Sequence, residues 1–255
     1  MDRRITDFKN DIIIDLLSNY SIEELRSLFL CINSIRTKNK YLEEEEYYND
    51  IQYKVDGEWI DEDSEYEVSI PLALFKDYAI KKKRSEDGIV TIVSDIMDKK
   101  ICYEYKTKKI FKHLIDIIEY DSEFKEFIIR FRKDTFKYII NLEDNFFSID
   151  LNELSQLKGK YEIGIYLLYW RWINTGKALM NIEGIRKYFG ISNIATPNYK
   201  VIQNMKLAIN NINKKLDYDI KLQSNSQKRG SKVITDVRIL FSAKTSKRNQ
   251  LEKVV

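Results

Sequence analysis

Apolar positions in the second half of the chain change their spacing several times, and each spacing predicts an element. Helical spacing begins at Tyr161 in YEIGIYLLYWRWINTG. ALMNI then predicts a short strand, and EGIRKYFGI predicts a short helix that stops at Gly190. A long helix starts near Pro197. Alternation over 218–224 and 233–241 predicts two strands joined by the polar turn NSQKRGSK.

The first half has a similar order of predicted elements. A capping box and helical spacing begin near Tyr20 in YSIEELRSLFLCINSI, alternation over 67–70 predicts a strand, and Pro71 opens a short helix. The acidic stretch 41–66 is interpreted as a loop or an irregular hairpin. After the polar break KKKRSEDG and another apolar segment, the β-like runs KIFKHLIDIIEY and EFKEFIIRF predict a hairpin around the turn DS.

The order helix, strand, helix, helix, hairpin in both halves predicts two domains in tandem, 1–150 and 151–255. Three helices followed by a two-stranded hairpin is the order of a winged helix, a variant of the helix-turn-helix. We therefore expect an α+β fold of two tandem winged-helix domains, each a helical bundle with a β-hairpin wing. In such a domain the last helix presents its polar face to the DNA major groove.

The long helix has the surface expected of a DNA-reading helix. Val201, Met205, Ala208 and Ile212 form an inward stripe, and the stretch 190–216 contains no acidic residue. Asn and Gln can pair with adenine, and Lys reaches guanine edges or phosphates. The cations of the predicted wing suit phosphate contact. A solvated helix beside a basic loop is the alternative. The expected DNA-binding residues are Asn198, Tyr199, Lys200, Gln203, Asn204, Lys206, Lys228, Arg229 and Lys232.

Charge divides the chain into unlike halves. Residues 151–255 contain 19 Lys and Arg against 7 Asp and Glu, a net charge of +12, whereas residues 1–150 have a net charge of −9. Such asymmetry suggests that one half meets a polyanion. We expect 151–255 to be the main DNA reader, and we expect the acidic 1–150 to contribute chiefly through dimerisation. An isolated 151–255 fragment should then bind DNA better than 1–150.

Catalytic chemistry has few candidate residues in this chain. The single histidine, His113, lies in a strand-like segment, and a rolling-circle nickase would need a His-rich metal site. No GxxxxGK[ST] loop occurs. Asp116, Glu119 and Asp121 are interpreted as strand and turn residues rather than Mg²⁺ ligands. We therefore expect no enzymatic activity, no metal and no cofactor.

The compartment is inferred from three patterns. Cys31 and Cys102 lie in apolar or aromatic surroundings, which favours small buried thiols in a reducing cytoplasm. No run of about 18 apolar residues is present, so no membrane partner is expected. The start MDRRITDFKND lacks the apolar core of a secretory signal.

The second-half segments KGKYEIGIYLLYWRW, NIEGIRKYFGI, NYKVIQNMKLAINNINKKL and KRGSKVITDVRILFSAK resemble the iteron-binding plasmid replication initiators, the Rep 3 superfamily. NDIIIDLLSNYSIEELRSLFLCINSI and YEVSIPLALFKDY resemble the family's opening helix, next strand and helix, so that the resemblance spans roughly 10–245. The sequence departs from the family pattern at Gly164, where arginine is usual, at Asn211, where glutamate is common, and at Ser231, where arginine is common.

The resemblance implies two winged-helix domains, with the C-terminal one the stronger reader of double-stranded DNA. It also implies binding to repeated sites at a plasmid origin, where initiators act as monomers with host replication initiation and helicase proteins. Dimers of such proteins commonly repress their own gene. Two alternatives remain open from the residues: a winged-helix transcriptional repressor without an initiation role, and a protein-interaction module that uses the acidic first half.

Overall fold

The computed structural model describes the greater part of the chain. The described residues are 15–49, 66–80, 83–105, 108–132, 134–135, 150–191, 196–226 and 234–243. Of the side chains within these ranges, those of 36–49, 103–105, 225–226, 234–235 and 243 are outside the description. The predicted wing cations Lys228, Arg229 and Lys232 also lie outside the described residues.

The chain forms two compact units. The N-terminal unit comprises Glu23–Asp144 with Ile149–Ser155, and the C-terminal unit comprises Gln156–Val255 with Met1–Ile22 and Asn145–Ser148. A short segment from the start of the chain therefore belongs to the C-terminal unit, where Leu17 and Tyr20 are buried.

The described elements of the N-terminal unit begin with a long helix. They are α1 (Ile22–Asn49), β1 (Glu67–Pro71), α2 (Leu72–Leu74, continued by the π-helix Phe75–Ala79), α3 (Glu86–Ser94), β2 (Lys100–Tyr105), β3 (Lys108–His113), β4 (Ile115–Asp121) and β5 (Glu126–Phe131). The sheet has the antiparallel order β1-β5-β4, and β2 and β3 form a separate two-stranded sheet. Alternate residues of β5 are buried, because a strand directs successive side chains to opposite faces.

The C-terminal unit repeats this arrangement without the extra hairpin. Its described elements are α4 (Leu151–Gln156, which lies across the boundary between the units), α5 (Lys160–Trp172, continued by the 3₁₀ turn Ile173–Thr175), β6 (Lys177–Asn181), α6 (Ile182–Tyr188), α7 (Asn198–Leu216), β7 (Tyr218–Ser226) and β8 (Ile234–Ala243). The antiparallel order β6-β8-β7 places the last strand between the other two, as in β1-β5-β4. The predicted mixed helix-and-sheet class is therefore confirmed.

Aromatic residues fill the core of the C-terminal unit. Tyr166 and Tyr169 of α5 are fully buried, and the rings of Tyr169 and Tyr218 stack with centroids 4.1 Å apart. Trp172 is half-buried beneath Arg171, whose guanidinium carbon lies 5.1 Å from the ring centroid. The aromatic residues of this helix are thus core and cover rather than a platform for bases.

Three predicted elements were wrong in extent. Residues 41–49 of the acidic stretch are helical, because α1 continues to Asn49 and glutamate is a good helix former. The segment KIFKHLIDIIEY is divided at Leu114 into β3 and β4, which belong to different sheets. The polar break ends earlier than predicted, because Ser85 caps α3 by accepting a hydrogen bond from the Gly88 N–H at 3.2 Å.

Within the described residues, no helix is both long and apolar enough to cross a membrane.

Candidate nucleic-acid interface

One side of α7 is open to solvent and polar along most of its length. Tyr199 is 65% exposed and Leu207 is 61% exposed. Gln203, Lys206 and Asn210 are also exposed. They lie on the same side of the helix as Tyr199 and Leu207, because they follow one another at intervals of three or four residues. Lys200 and Lys214 are exposed at the margins. The helix therefore presents amides, cations, one phenol and one aliphatic side chain, and no carboxylate.

The opposite side of α7 fixes its rotation. Val201, Met205 and Ile212 have no exposed surface and Ala208 is buried, which confirms the predicted inward stripe. Burial of a complete apolar side chain contributes about 1.5–3 kcal/mol. Rotating α7 to bury Gln203 would bring these side chains into water, so the sequence alone determines which side faces outward.

Arg186 of α6 holds the first turn of α7 in position. Its Nη1 donates hydrogen bonds to the Thr196 carbonyl oxygen at 2.8 Å and to the Asn198 Oδ1 at 3.2 Å. The N-cap residue of α7, Pro197, has no side-chain cap. Arg186 therefore ties the connection between α6 and α7 to the start of the exposed side, and the half-buried Asn198 already has a partner within the protein.

The turn after α6 requires glycine. Gly190 has a φ of +63°, and the N–H of Ile191 donates to the Arg186 carbonyl at 2.8 Å, which closes the helix end. A Cβ on Gly190 would lie 2.9 Å from the Ser18 Cα. The predicted helix stop is thus confirmed, and the close approach of the chain start adds a second reason for it.

Asn204 differs from its neighbour Gln203. Asn204 is half-buried and its side chain is hydrogen-bonded to Tyr161 of α5, whose ring stacks on Phe189 at 4.7 Å. Burial raises the pKa of Tyr161, and the bond from Asn204 and the charge of Arg186 oppose that increase. Asn204 therefore ties α7 to α5, whereas Gln203 is exposed.

A buried carboxylate anchors the second half of α7. Glu162 accepts hydrogen bonds from Asn211 Nδ2 at 2.8 Å, Lys215 Nζ at 2.9 Å and the Lys158 N–H at 2.7 Å. Burial raises the pKa of Glu162, but these donors and the Lys215 charge outweigh burial and hold the pKa below its ordinary value. The carboxylate is therefore charged and fully engaged with α7 and the start of α5.

The predicted wing is built on the last two strands of the C-terminal unit. Strands β7 and β8 pair from Tyr218↔Ala243 to Ser226↔Ile234, with a register shift between Asn225 and Ser226. The connection between them carries the predicted phosphate-binding cations. Their assignment stays a prediction, because 227–233 lie outside the described residues.

The comparisons with known proteins decide the family. Residues 5–169 match the family model described as "Initiator Replication protein, WH1". The chain belongs to this family. The resemblance inferred from the sequence is therefore confirmed. The residues that match the family model lie mainly in the first half of the chain, whereas most of the motifs quoted for the resemblance lie in the second half.

Solved structures match the initiator to different degrees. One is described as "Crystal structure of Pi initiator protein in complex with iteron DNA", with 12% identity, 92% of this chain and 96% of that chain covered, and a TM-score of 0.62. Two structures of RctB domains 2 and 3 have 10% identity each. For the first, the match covers 92% of this chain and 85% of that chain, with a TM-score of 0.45. For the second, it covers 88% of this chain and 83% of that chain, with a TM-score of 0.49. No curated protein matches the initiator's sequence.

Two departures from the family pattern have a structural basis in this initiator. A Cβ at Gly164 would lie 2.4 Å from a carbon of the buried Phe189 ring, so the space beside residue 164 is filled. Asn211 is neutral, which suits its contact with the Glu162 carboxylate, where a second acid would be repelled. Asn211 thus belongs to the set of contacts around Glu162 that also includes Lys215.

Sequence reasoning missed several residues of the candidate interface. Leu207, Asn210 and Lys214 lie on the exposed side of α7, and continuing the spacing from Tyr199 and Gln203 by three and four residues would have found them. The roles of Arg186 and Tyr161 could not be found this way, because hydrogen bonds between helices depend on how the helices pack.

The remaining candidate residues for chemistry have structural partners in the initiator. The His113 Nδ1 donates to the Met97 carbonyl at 3.0 Å, and burial raises the pKa of the Cys31 thiol. Asp121 Oδ1 accepts from the N–H groups of Glu123 and Phe124 at 2.8 and 3.0 Å, as expected of a turn residue. No cluster of three or more metal-ligating side chains occurs among the described residues.

Proposed function

We propose that this initiator binds double-stranded DNA at repeated origin sites and reads the sequence with α7. The observation that supports the proposal most strongly is the exposed side of α7, which combines Tyr199, Gln203, Lys206 and Asn210 without an acidic residue. Phosphate attraction supplies much of the affinity of DNA-binding proteins, and amide and cationic side chains supply base contacts. The solved structure of the Pi initiator, described as bound to iteron DNA, has a similar fold.

Each unit in this proposal is a winged helix, with the domain boundary near 150. Helix, strand, helix, helix and antiparallel pair follow one another in both units, and the last strand is central in both sheets. The extra hairpin β2–β3 is an insertion between the third helix and the wing of the first copy. Helices α3 and α7 then occupy equivalent positions.

Base contacts are assigned to the first three turns of α7. Gln203 presents the donor and acceptor pair that matches adenine, and Lys206 reaches guanine edges or phosphates. Leu207 is suited to contact with a thymine methyl group. Asn198 and Asn204 are assigned a positioning role, because their side chains already bond to Arg186 and Tyr161. Lys228, Arg229 and Lys232 contact phosphates beside the groove.

Further partners follow from the family. The initiator self-associates to a dimer that represses its own gene, and as a monomer it acts with host replication initiation and helicase proteins. Family membership favours initiation over repression alone.

Footprinting the full-length protein on the DNA beside its own gene tests the proposal. Protection of direct repeats, with periodic contacts in successive major grooves, is expected. Equal affinity for that DNA and for unrelated DNA of the same length would reject sequence-specific binding. Replication of a plasmid that carries the protected repeats and the gene tests initiation separately.

A further inference from the structure

The exposed side of α7 has a middle row of four residues. Tyr199, Gln203, Leu207 and Asn210 are all exposed, and they follow one another at intervals of four, four and three residues. Successive residues of an α-helix are rotated by about 100° around its axis, so these four lie within an arc of about 80°. The arc is opposite the buried stripe of the same helix. The middle row is therefore the part of α7 that projects furthest from the protein.

Two lysines lie on either side of the middle row. Lys200 and Lys206 are exposed, and their separation of six residues places them about 120° apart around the axis, with the row between them. A helix in the major groove directs its outermost side to the base edges, and its flanks face the phosphates of the two strands. The two lysines therefore suit phosphates. Lys214 is one turn further along, beyond the N-terminal turns that contact bases in helix-turn-helix proteins.

The middle row alternates between apolar and amide side chains. A phenol ring at Tyr199 is followed by the amide of Gln203, the aliphatic side chain of Leu207 and the amide of Asn210. Amides pair with N6 and N7 of adenine, and apolar side chains contact the 5-methyl group of thymine. Guanine is read most often by arginine or lysine, and α7 contains no arginine. The row therefore matches the two bases of an A·T pair.

Single exposed apolar residues are common and carry no inference alone. Tyr199 and Leu207 differ from such cases because they alternate with amides in the middle of a helix side that has no carboxylate. We propose that α7 reads A·T base pairs through thymine methyl groups as well as through adenine edges. This deepens the proposed function and rests on it, since it names the class of sequence that the helix recognises.

The proposal assigns a base to each member of the row. Tyr199 and Leu207 contact thymine methyl groups, and Gln203 and Asn210 pair with adenines. Contact with a methyl group removes an exposed ring or aliphatic side chain from water, which favours binding. Tyr199 and Leu207 are about 12 Å apart along the helix axis, so their two thymines lie within about four base pairs of each other.

Deoxyuridine in place of thymine tests the methyl contacts on the unmodified protein. The replacement removes the 5-methyl group and keeps every hydrogen-bonding group of the base. Each thymine of a footprinted repeat is replaced in turn, and affinity is measured by fluorescence anisotropy. Two replacements should each weaken binding by about 4-fold, which corresponds to the burial of one carbon. Leu207→Ala should weaken binding to the thymine repeat and become indifferent to one of these replacements, while it remains sensitive to the other.

7-Deazaadenine, which lacks the N7 acceptor, tests the amides in the same way. Two replacements should each weaken binding by about 10-fold, with Gln203→Ala indifferent to one and Asn210→Ala to the other. 7-Deazaguanine at every guanine of the repeat should change affinity by less than about 2-fold. Lys206→Ala should weaken binding to all of these duplexes alike and reduce the salt slope by about 0.9, because it loses a phosphate contact.

Leu179→Ala is the matched control, because Leu179 is 64% exposed and lies on β6 rather than on α7, where Leu207 is 61% exposed. It should keep the parent's affinity and the parent's response to each deoxyuridine. A control that loses the response equally overturns the proposal. So does an unmodified protein that responds to no deoxyuridine, a Leu207→Ala variant that keeps the parent's response to every one, or a large effect of 7-deazaguanine. Equal affinity of the unmodified protein for the repeat and for unrelated DNA would instead reject the proposed function.

Discussion

Apart from the extra hairpin β2–β3, the two units have the same order of elements and the same sheet order, yet their third helices differ in charge. In α7, the first turn has no acidic residue and the exposed side carries Lys200, Lys206 and Lys214. In α3, the first turn carries Glu86 and Asp87. The buried positions maintain the shared arrangement, whereas the exposed positions determine whether phosphate is attracted or repelled.

The connections between the last two strands of each unit also differ in charge, β4 to β5 being acidic and β7 to β8 basic. The turn after β4 is held to α3, because Glu86 accepts hydrogen bonds from Tyr120 at 2.6 Å and from Lys125 at 3.2 Å. Its sequence, DSEFKE, is acidic and exposes an aromatic ring, whereas QKRGSK after β7 is basic. These two connections therefore differ in charge, which we expect to favour phosphate contact in the C-terminal unit and to disfavour it in the N-terminal unit.

The largest expected effect comes from the basic wing. Replacing Lys228, Arg229 and Lys232 together with alanine should weaken binding to all DNA sequences alike, by about 100-fold at low salt. Each lost phosphate contact should reduce the slope of log K against log salt by about 0.9. Gel-shift titrations at several salt concentrations measure both. A slope equal to the parent's would show that the wing makes no phosphate contacts.

Charge reversal on the third helices tests the comparison directly. Lys206→Glu in α7 should lower DNA affinity by about 10- to 100-fold, because a carboxylate would face phosphates. Asp87→Lys in α3 should change it less than about 2-fold, since that helix is expected not to meet DNA. Fluorescence anisotropy with a single-repeat duplex measures both. Equal responses would mean that the two helices contribute alike.

Two neighbouring amides should respond differently to truncation. Gln203→Ala should cost about 1–3 kcal/mol of binding and relax preference at one or two base pairs. Asn204→Ala, at a position that the sequence predicts to bind DNA, should instead lower the free energy of unfolding through loss of the Tyr161 bond, by about 1 kcal/mol.

Tyr161→Phe is the control for Asn204, because it removes the hydroxyl and leaves the ring stacked on Phe189. Binding-site selection and urea unfolding separate the two effects. Unchanged base preference in Gln203→Ala would remove that residue from the recognition surface.

The smallest effect concerns stability and its dependence on pH. The pKa of Glu162 is lowered in the folded protein, so its contribution is present above the ordinary glutamate pKa of about 4.3 and is lost as pH falls through the folded value. Glu162→Gln should therefore unfold more easily by about 1 kcal/mol at pH 7. The difference should shrink towards pH 3.

Urea unfolding at a series of pH values measures this difference. Glu183→Gln, at an exposed position of α6, is the matched control and should follow the parent at every pH. A difference between Glu162→Gln and the parent that is constant from pH 7 to pH 3 would show that the carboxylate charge is not involved.

Much of the C-terminal unit could be predicted from periodicity. The spacing of Val201, Met205, Ala208 and Ile212 predicted both α7 and its buried side, because only one rotation of the helix removes all four from water. Gly190 predicted a helix end, because few other residues adopt its left-handed φ. The resemblance of such segments to known initiators also pointed to the family that the family model confirms.

Other features depended on contacts between distant residues. No local pattern separates β3 from β4 at Leu114, since no glycine or proline interrupts the two segments and the partner strands decide the sheet. The short helix α4 was not predicted at all. Asn204 and Gln203 are equivalent as polar residues on one helix face until the position of Tyr161 is known.

The sequence by itself determined most elements of the C-terminal unit, the buried side of α7 and the charge of each half, because these depend on residue type and spacing, and its resemblance to known segments indicated the family. The tertiary structure alone decided which polar groups are already engaged. It placed Arg186 on the start of α7 and Glu162 beneath its end, and it paired the strands around β5 and β8. The physical reason is that a hydrogen bond or strand pair requires two groups far apart in sequence to meet, which only the packed chain achieves.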